Sequence, residues 1–297
     1  MSVVVHAFSE GKAAARRLAD ALGVGLGVVR CHRFPDGEVL PTVPEPADTV
    51  LVYRSPSHPN SRIMELILAT EAWRRLGAQR LVLVAPYLPY MRQDAAFLPG
   101  QSISQKVFAR LLASYFDRVV TVNPHLHRTP DMAALFGNTP AESLSAGPAI
   151  GDWLERAGIA ERTLVIGPDE ESAPLAKAVA GRLGLDWLVF TKVRHRDRLV
   201  ELRLDAPGQI SGRPVVIVDD ICSTGSTLIA AIEQAQAAGA VDVKLAIVHA
   251  LYDERTQVRL EATGVSRIVS TDSVNHPTNA IELAGLLAGA LRSEVTT

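Results

Sequence analysis

The chain has 297 residues, 47% of them hydrophobic and 21% charged, with 30 Lys and Arg against 32 Asp and Glu for a net charge of −2. Such a length suggests two domains with sizeable cores, and the balanced charge leaves no footprint for a nucleic-acid backbone or an anionic membrane. Two widely separated cysteines, Cys31 and Cys222, exclude a disulfide framework or a Cys-rich zinc site.

The opening MSVVVHAF is a short apolar run without a basic leader, which does not read as a signal peptide. No stretch reaches the roughly 18 apolar residues of a membrane span, so a soluble, cytoplasmic protein is expected. From there, short β-branched runs alternate with helix-length amphipathic segments. Strands are expected at SVVVHAF (2–8), TVLVYRS (49–55), RLVLVAPY (80–87), RVVTVNP (118–124), TLVIGPD (163–169), WLVFTK (187–192), VVIVDD (215–220) and VKLAIVHA (243–250). Near-continuous Val/Ile/Leu runs suit strands buried on both faces. Between them lie helical stretches at 61–77, 104–116, 173–184 and 227–239, several ending at Gly as helices commonly do. This alternation predicts an α/β fold with mostly parallel sheets. RRLGAQRLVLVAPYL (74–88) and QAAGAVDVKLAIVHAL (236–251) share a helix end, Gly-Ala, a short link and a buried strand, which makes duplication plausible. FGNTPAESLSAGP (136–148), rich in turn formers, is the expected domain boundary. The last helix, NAIELAGLLAGALRS (279–293), is expected to pack back on the body.

The most informative segment is VVIVDDICSTGSTLIAAI (215–232). A buried strand ends in Asp219 and Asp220, a loop of Ser223, Thr224, Gly225, Ser226 and Thr227 follows, and a helix begins at once. In open α/β sheets ligands bind beyond the carboxyl ends of strands, where such a loop lies. Small side chains let backbone N–H groups turn inward, and the helix N-terminus adds positive potential, making a phosphate cradle. The two carboxylates, placed just before it, suit a sugar diol. A phosphate beside a diol describes ribose 5-phosphate. The loop lacks the GxxxxGK[ST] pattern of a Walker A motif.

This run resembles the phosphoribosyl-pyrophosphate motif shared by type I phosphoribosyltransferases and phosphoribosyl-pyrophosphate synthetases, between which the motif alone does not choose. RFPDGE (33–38), PYLPYMRQD (86–94), VNPHLH (122–127) and GPD (167–169) resemble the synthetase (ribose-phosphate pyrophosphokinase) family in order and spacing. GQSIS (100–104) and the STGST loop resemble its archaeal-type, class III branch. The resemblance implies two phosphoribosyltransferase-like domains, each a mainly parallel sheet flanked by helices. Residues 1–142 would form the ATP side, completed by 278–297, and residues 143–277 the ribose 5-phosphate side. It also implies transfer of the β,γ-diphosphoryl group of ATP to the C1 hydroxyl of ribose 5-phosphate, with Mg2+, giving phosphoribosyl pyrophosphate and AMP.

The residues themselves suit those tasks. Phe34 offers a face for adenine, and Asp36 and Glu38 offer acceptors for its amino group. Arg92 is a bidentate phosphate ligand and Gln93 can bond ribose or phosphate, with Asp94 completing the ATP-side run. On this tripeptide alone, a surface ion pair between Arg92 and Asp94 is the favoured reading. His125 could accept a metal or its bound water, whereas His127 reads as a solvated loop residue. By resemblance, the Phe34 loop serves ATP of a neighbouring subunit, implying a homo-oligomer built on dimers with a hexamer as one option. By resemblance also, His125 and Asp169 hold Mg2+, and Lys192 and Arg194 open the catalytic loop. His195, Arg196 and Arg198 extend that basic cluster.

Three departures from the family pattern bear on these expectations. Asn123 replaces an acidic group near the metal histidine, and Ser223 stands where many members carry Asp. AAFLPGQS after the Arg-Gln-Asp run lacks the basic residue of the family's regulatory site, and a C-terminal extension is missing, so weak or absent control by phosphate and ADP is expected. Two rivals remain: a phosphoribosyltransferase, which would need a base-binding hood, and a non-catalytic synthetase-associated regulator. The regulator should have lost loop cations or the acid pair, yet Lys192, Arg194, Asp219 and Asp220 are all present.

Overall fold

The computed structural model describes residues 2–126, 128–159, 161–194, 200–203 and 207–296. These fall into two compact units, Met1–Leu144 with Leu283–Thr297, and Ser145–Glu282. In the first unit the apolar runs become Val3–Phe8 (β1), Gly25–Arg33 (β2), Val39–Thr42 (β3), Thr49–Tyr53 (β4), Arg80–Ala85 (β5), Arg118–Val122 (β6) and Ala141–Leu144 (β7). They form one sheet in the order β3-β2-β1-β4-β5-β6-β7, parallel except for the β2/β3 hairpin. Its helices are Lys12–Leu22 (α1), Pro59–Arg75 (α2), Ser104–Ala113 (α3) and Met132–Phe136 (α4). Every residue of β4 is buried, as its unbroken apolar run requires for a strand covered on both faces.

The second unit contains Gly147–Arg156 (α5), Leu164–Gly167 (β8), Ala173–Leu183 (α6), Asp186–Val189 (β9), Thr191–Arg194 (β10), Val200–Arg203 (β11), Pro214–Cys222 (β12) and Ser226–Ala237 (α7). It continues with Asp242–Ala250 (β13), Glu254–Glu261 (α8), Arg267–Thr271 (β14) and Asn279–Ile281 (β15). Its main sheet runs β15-β14-β13-β12-β8-β9 and is parallel, while β10 and β11 form a separate antiparallel pair. Numbering only the parallel strands of each sheet in chain order, both sheets read 2-1-3-4-5-6. The repeated stretch noticed in the sequence maps onto matching places: α2 with β5, and α7 with β13, each the fourth parallel strand. The α/β reading with mostly parallel sheets holds in both units.

Some expected elements are redrawn. The turn-rich boundary segment is not a linker throughout, because β7 pairs with β6 from Val119 opposite Ala141 to Val122 opposite Leu144. The chain changes unit just after it. WLVFTK breaks at Phe190, whose side chain is wholly buried and whose N–H bonds to the Gly167 carbonyl at 3.0 Å. The last helix starts late, since Asn279–Ile281 is strand, with Asn279 donating to Ser270 Oγ at 3.0 Å. The helix itself, Ala284–Thr296 (α9), packs on α1 of the first unit. Glu294 ties it down, accepting from Arg80 at 2.7 and 2.9 Å and from Arg118 at 2.9 Å. Its carboxyl is held below the usual range, chiefly by the Arg80 hydrogen bond.

One buried polar pair in the first core carries a pH dependence. Trp73 Nε1, a donor only, bonds His6 Nδ1 at 2.8 Å, so the imidazole proton must sit on Nε2. A side chain on Gly27 would come within 2.8 Å of that nitrogen, which is why glycine stands there. Protonating Nδ1 would set two donors face to face in a dry site. Burial lowers the pKa of His6 to about 4 from 6.5. The unfolded chain therefore binds the extra proton first, and stability falls as pH drops from about 6.5 towards 4. The loss should reach about 3 kcal/mol. NMR titration of the His6 ring in the folded protein checks this; a midpoint near the ordinary value would refute it.

Candidate functional site

In the second unit the acid pair lies inside β12, which runs two residues further to Cys222. The loop is thus only Ser223–Gly225, and Ser226 and Thr227 already belong to the first turn of α7. Asp219 and Asp220 are half-buried, and the Asp220 N–H donates to Asp219 Oδ1 at 3.0 Å. Thr224 and Ser226 are exposed, their hydroxyl oxygens 3.3 Å apart. Gly225 has φ +73°, and a Cβ there would press within 2.9 Å of Thr256 on α8, so only glycine fits. No side chain caps α7, which leaves its first-turn amides for a ligand. Arg259 of α8 braces the loop through the Thr224 carbonyl at 3.3 Å. Burial, with Asp219 adding to it, pushes the Cys222 thiol up to about 12, which rules it out as a nucleophile.

β8 is the neighbour of β12, and strand order reverses between them. Asp169, two residues after β8, caps the short turn Glu170–Ser172: its Oδ1 accepts from the Ser172 N–H at 3.3 Å. Its carboxylate therefore stands beside the reversal point, in a fixed orientation. Lys192 and Arg194 are placed by backbone alone, opposite Leu202 and Val200 in the β10/β11 pair. His127, His195, Arg196 and Arg198 lie outside the described residues.

The first unit places its predicted residues at two separate edges. Arg92, Gln93 and Asp94 follow β5, and His125 follows β6, so these two loops are neighbours. Arg92 and Gln93 are exposed and His125 is half-buried. Asp94 does not pair with Arg92 in an ion pair of its own tripeptide; its Oδ1 accepts from Arg128 Nη1 at 2.9 Å and its side chain is 2% exposed. This bond fastens the Arg92 loop to the His125 loop, and Thr129 Oγ1 adds a second tie to Gln105 Oε1 at 2.8 Å. Phe34, Asp36 and Glu38 occupy the turn of the β2/β3 hairpin, closed by Phe34 N–H to Glu38 O at 2.9 Å. Phe34 is 38% exposed and meets His32 edge-on at 4.6 Å. The Asp36 carboxylate turns back to the Glu38 N–H at 3.1 Å. β2 is three places from β5 in the sheet, so one unit does not bring Phe34 to Arg92.

Among the described residues no group of three or more His, Cys, Asp or Glu is placed to hold a metal. Nor, among them, is any helix long and apolar enough to cross a membrane. Sequence reasoning missed Arg128 and Arg259. Neither lies in a recognisable motif, and both act through loops brought close only by strand order.

Comparison with known proteins gives two family matches. The N-terminal domain of ribose phosphate pyrophosphokinase matches residues 3–115, and a phosphoribosyl transferase domain matches residues 150–281. The ribose-phosphate pyrophosphokinase of Methanopyrus kandleri is 35% identical over 98% of this chain and 99% of its own. The ribose-phosphate pyrophosphokinase 2 of Archaeoglobus fulgidus is 34% identical over 92% and 94%. In fold, a phosphoribosylpyrophosphate synthetase from Mycobacterium smegmatis matches with a TM-score of 0.84 at 23% identity, covering 100% of this chain and 99% of that one.

Proposed function

The chain belongs to the ribose-phosphate pyrophosphokinase family, and from that premise we propose that it makes phosphoribosyl pyrophosphate and AMP from ATP and ribose 5-phosphate. The observation that carries this reading is the acid pair near the end of β12, a strand separated by three residues from an uncapped helix N-terminus. Asp219 and Asp220 accept hydrogen bonds from the ribose diol. Ser223, Thr224, Gly225, Ser226 and Thr227 take its 5-phosphate. The C1 hydroxyl then attacks the β-phosphorus of ATP in line; an O–P bond forms as the bond to the α,β-bridging oxygen breaks, and AMP leaves. Such transfer needs mainly positioning and charge stabilisation.

Arg92 and Gln93 serve the ATP phosphates, and Asp94 positions their loop through Arg128. Lys192 and Arg194 stabilise the charge growing on the diphosphoryl group. His125 would help hold the Mg2+ carried by ATP, and Asp169 a second Mg2+; each would neutralise phosphate charge. Phe34, Asp36 and Glu38, roughly 15 Å of sheet away from Arg92, serve the nucleotide of a second copy. A dimer-based homo-oligomer is supported by exposed apolar pairs one turn apart, Met64 with Leu68 on α2 and Val107 with Leu111 on α3. A one-chain mass by light scattering would count against it. Free thiols at Cys31 and Cys222 suit a reducing cytoplasm.

The test is the nucleotide product. With ribose 5-phosphate and MgATP the purified chain should release AMP; ADP would mean transfer of the γ-phosphoryl group instead. A non-catalytic regulator would release neither.

A further inference from the structure

The loop after β4 holds, in the first unit, the place that the acid-pair loop holds in the second. Each follows the strand beside the first strand of its sheet, where strand order reverses. Their chemistry is opposite. Arg54-Ser55-Pro56-Ser57-His58 leads into α2, a helix of 17 residues whose N-terminus no side chain caps. His58, just before it, has φ +57°, the left-handed region that a non-glycine residue seldom occupies.

Arg54 is the unusual member. Its side chain is 1% exposed, and its guanidinium carbon lies 3.6 Å above the centre of the Phe8 ring. Nη2 is matched, by Glu10 at 2.9 Å and by Glu65. Among the described residues nothing accepts from its Nε or Nη1. Buried donors of a cation are costly to leave unmatched.

A cavity of about 660 Å³ opens at this place, lined among others by Arg30, Arg33, Arg54, Arg62, His58 and Ser61. Four guanidinium groups face two carboxylates, Glu10 and Glu65, a surplus of two positive charges before His58 is counted. Both carboxylates are already engaged: Glu65 also by Arg33 at 2.9 Å, and Glu10 also by Arg62 at 3.6 Å. Arg62 additionally holds the loop through the Ser57 carbonyl and hydroxyl.

We infer that the first unit carries an oxyanion site of its own, in which Arg54, Arg62 and the first turn of α2 bind a phosphate group at the reversal point of the sheet. A dianion matches the surplus charge, a tetrahedral group can accept from several directions at once, and the helix terminus contributes amides and potential. The site is distinct from the loop of β12 and from Arg92, which belong to other strand ends. The competing arrangement is a plug, in which Arg54 merely neutralises Glu10 and Glu65 and no anion enters.

Calorimetric titration of inorganic phosphate into the full chain decides between them. Arg62→Gln should bind one phosphate fewer per chain than the wild type, or bind it at least tenfold more weakly. The same loss should appear when Ser226→Glu has already placed a carboxylate in the loop of the second unit. Arg30→Gln, at an exposed position that disturbs no packing, should weaken binding in the same direction. An Arg62→Gln isotherm that overlays the wild type overturns the inference. Should that variant fail to show native circular dichroism, an Arg30→Gln isotherm that overlays the wild type does so instead. Repeating the Ser226→Glu titration with ribose 5-phosphate separates a site for free phosphate from one that also takes an ester.

Discussion

Lys192→Ala should lower kcat by about a thousandfold while leaving the KM for both substrates within a few fold. In phosphoryl-type transfer the reacting group spreads negative charge over its equatorial oxygens, and cations aimed there are worth about 10³–10⁵ in rate. Such a cation does its work in the transition state, so its loss falls on turnover and spares ground-state affinity. Lys192 stands on the β10/β11 pair, apart from the main sheet and attached to it through Phe190, whose N–H is fixed to the end of β8. That connection starts the basic run beside the strand end carrying Asp169. The measurement is steady-state AMP release with each substrate varied in turn. Unchanged turnover would remove Lys192 from the mechanism. A raised KM with intact kcat would make it a binding residue instead.

The second large effect is expected at Asp220. Asp220→Asn keeps the shape of the side chain and removes its charge, so hydrogen bonds from a sugar hydroxyl to a carboxylate become bonds to a neutral amide. Hydrogen bonds to charged groups are worth about 1.5–3 kcal/mol, which corresponds to about 10–150-fold. The KM for ribose 5-phosphate should rise by that factor and the KM for ATP should stay put. Asp220 is the more diagnostic of the pair, because Asp219 also accepts from the Asp220 backbone at 3.0 Å and its removal would disturb the end of β12 itself. Equal loss of affinity for both substrates would indicate a damaged fold, and no loss for either would separate the acid pair from the sugar.

What could be read without coordinates follows from how local the determinants are. Doubly buried strands such as β4 and the first part of β12 declare themselves, since every residue must be apolar. The hairpin at the sheet's edge does not. β3 alternates half-buried with exposed positions, and β2 is exposed through Cys31, His32 and Arg33, so their patterns look like loop. β3 persists because the hairpin closes between Arg33 and Val39, and β2 because β1 also pairs with its first half, Gly25–Val29. The acid-pair loop was legible because strand, carboxylates, small residues and helix are contiguous. Asp94 was only half legible: its neighbour Arg92 looked like a partner, but Arg128, 34 residues later, takes it. That choice is made by β5 and β6 lying side by side, which no window of sequence contains. Ending β15 at Ile281 was equally hidden, since residues 279–293 carry a helical apolar period into which three strand residues merge unannounced.

The first unit is built from both ends of the chain, so the second unit is an insertion within it. On the ribosome, residues 145–282 emerge as one uninterrupted stretch, with all strands of their main sheet in hand before synthesis finishes. Until α9 arrives, the side of α1 that will receive it is bare, and Arg80 and Arg118 lack the Glu294 carboxylate that bridges them. The first unit therefore has its whole sheet early but acquires its last helix only after the second unit has been made.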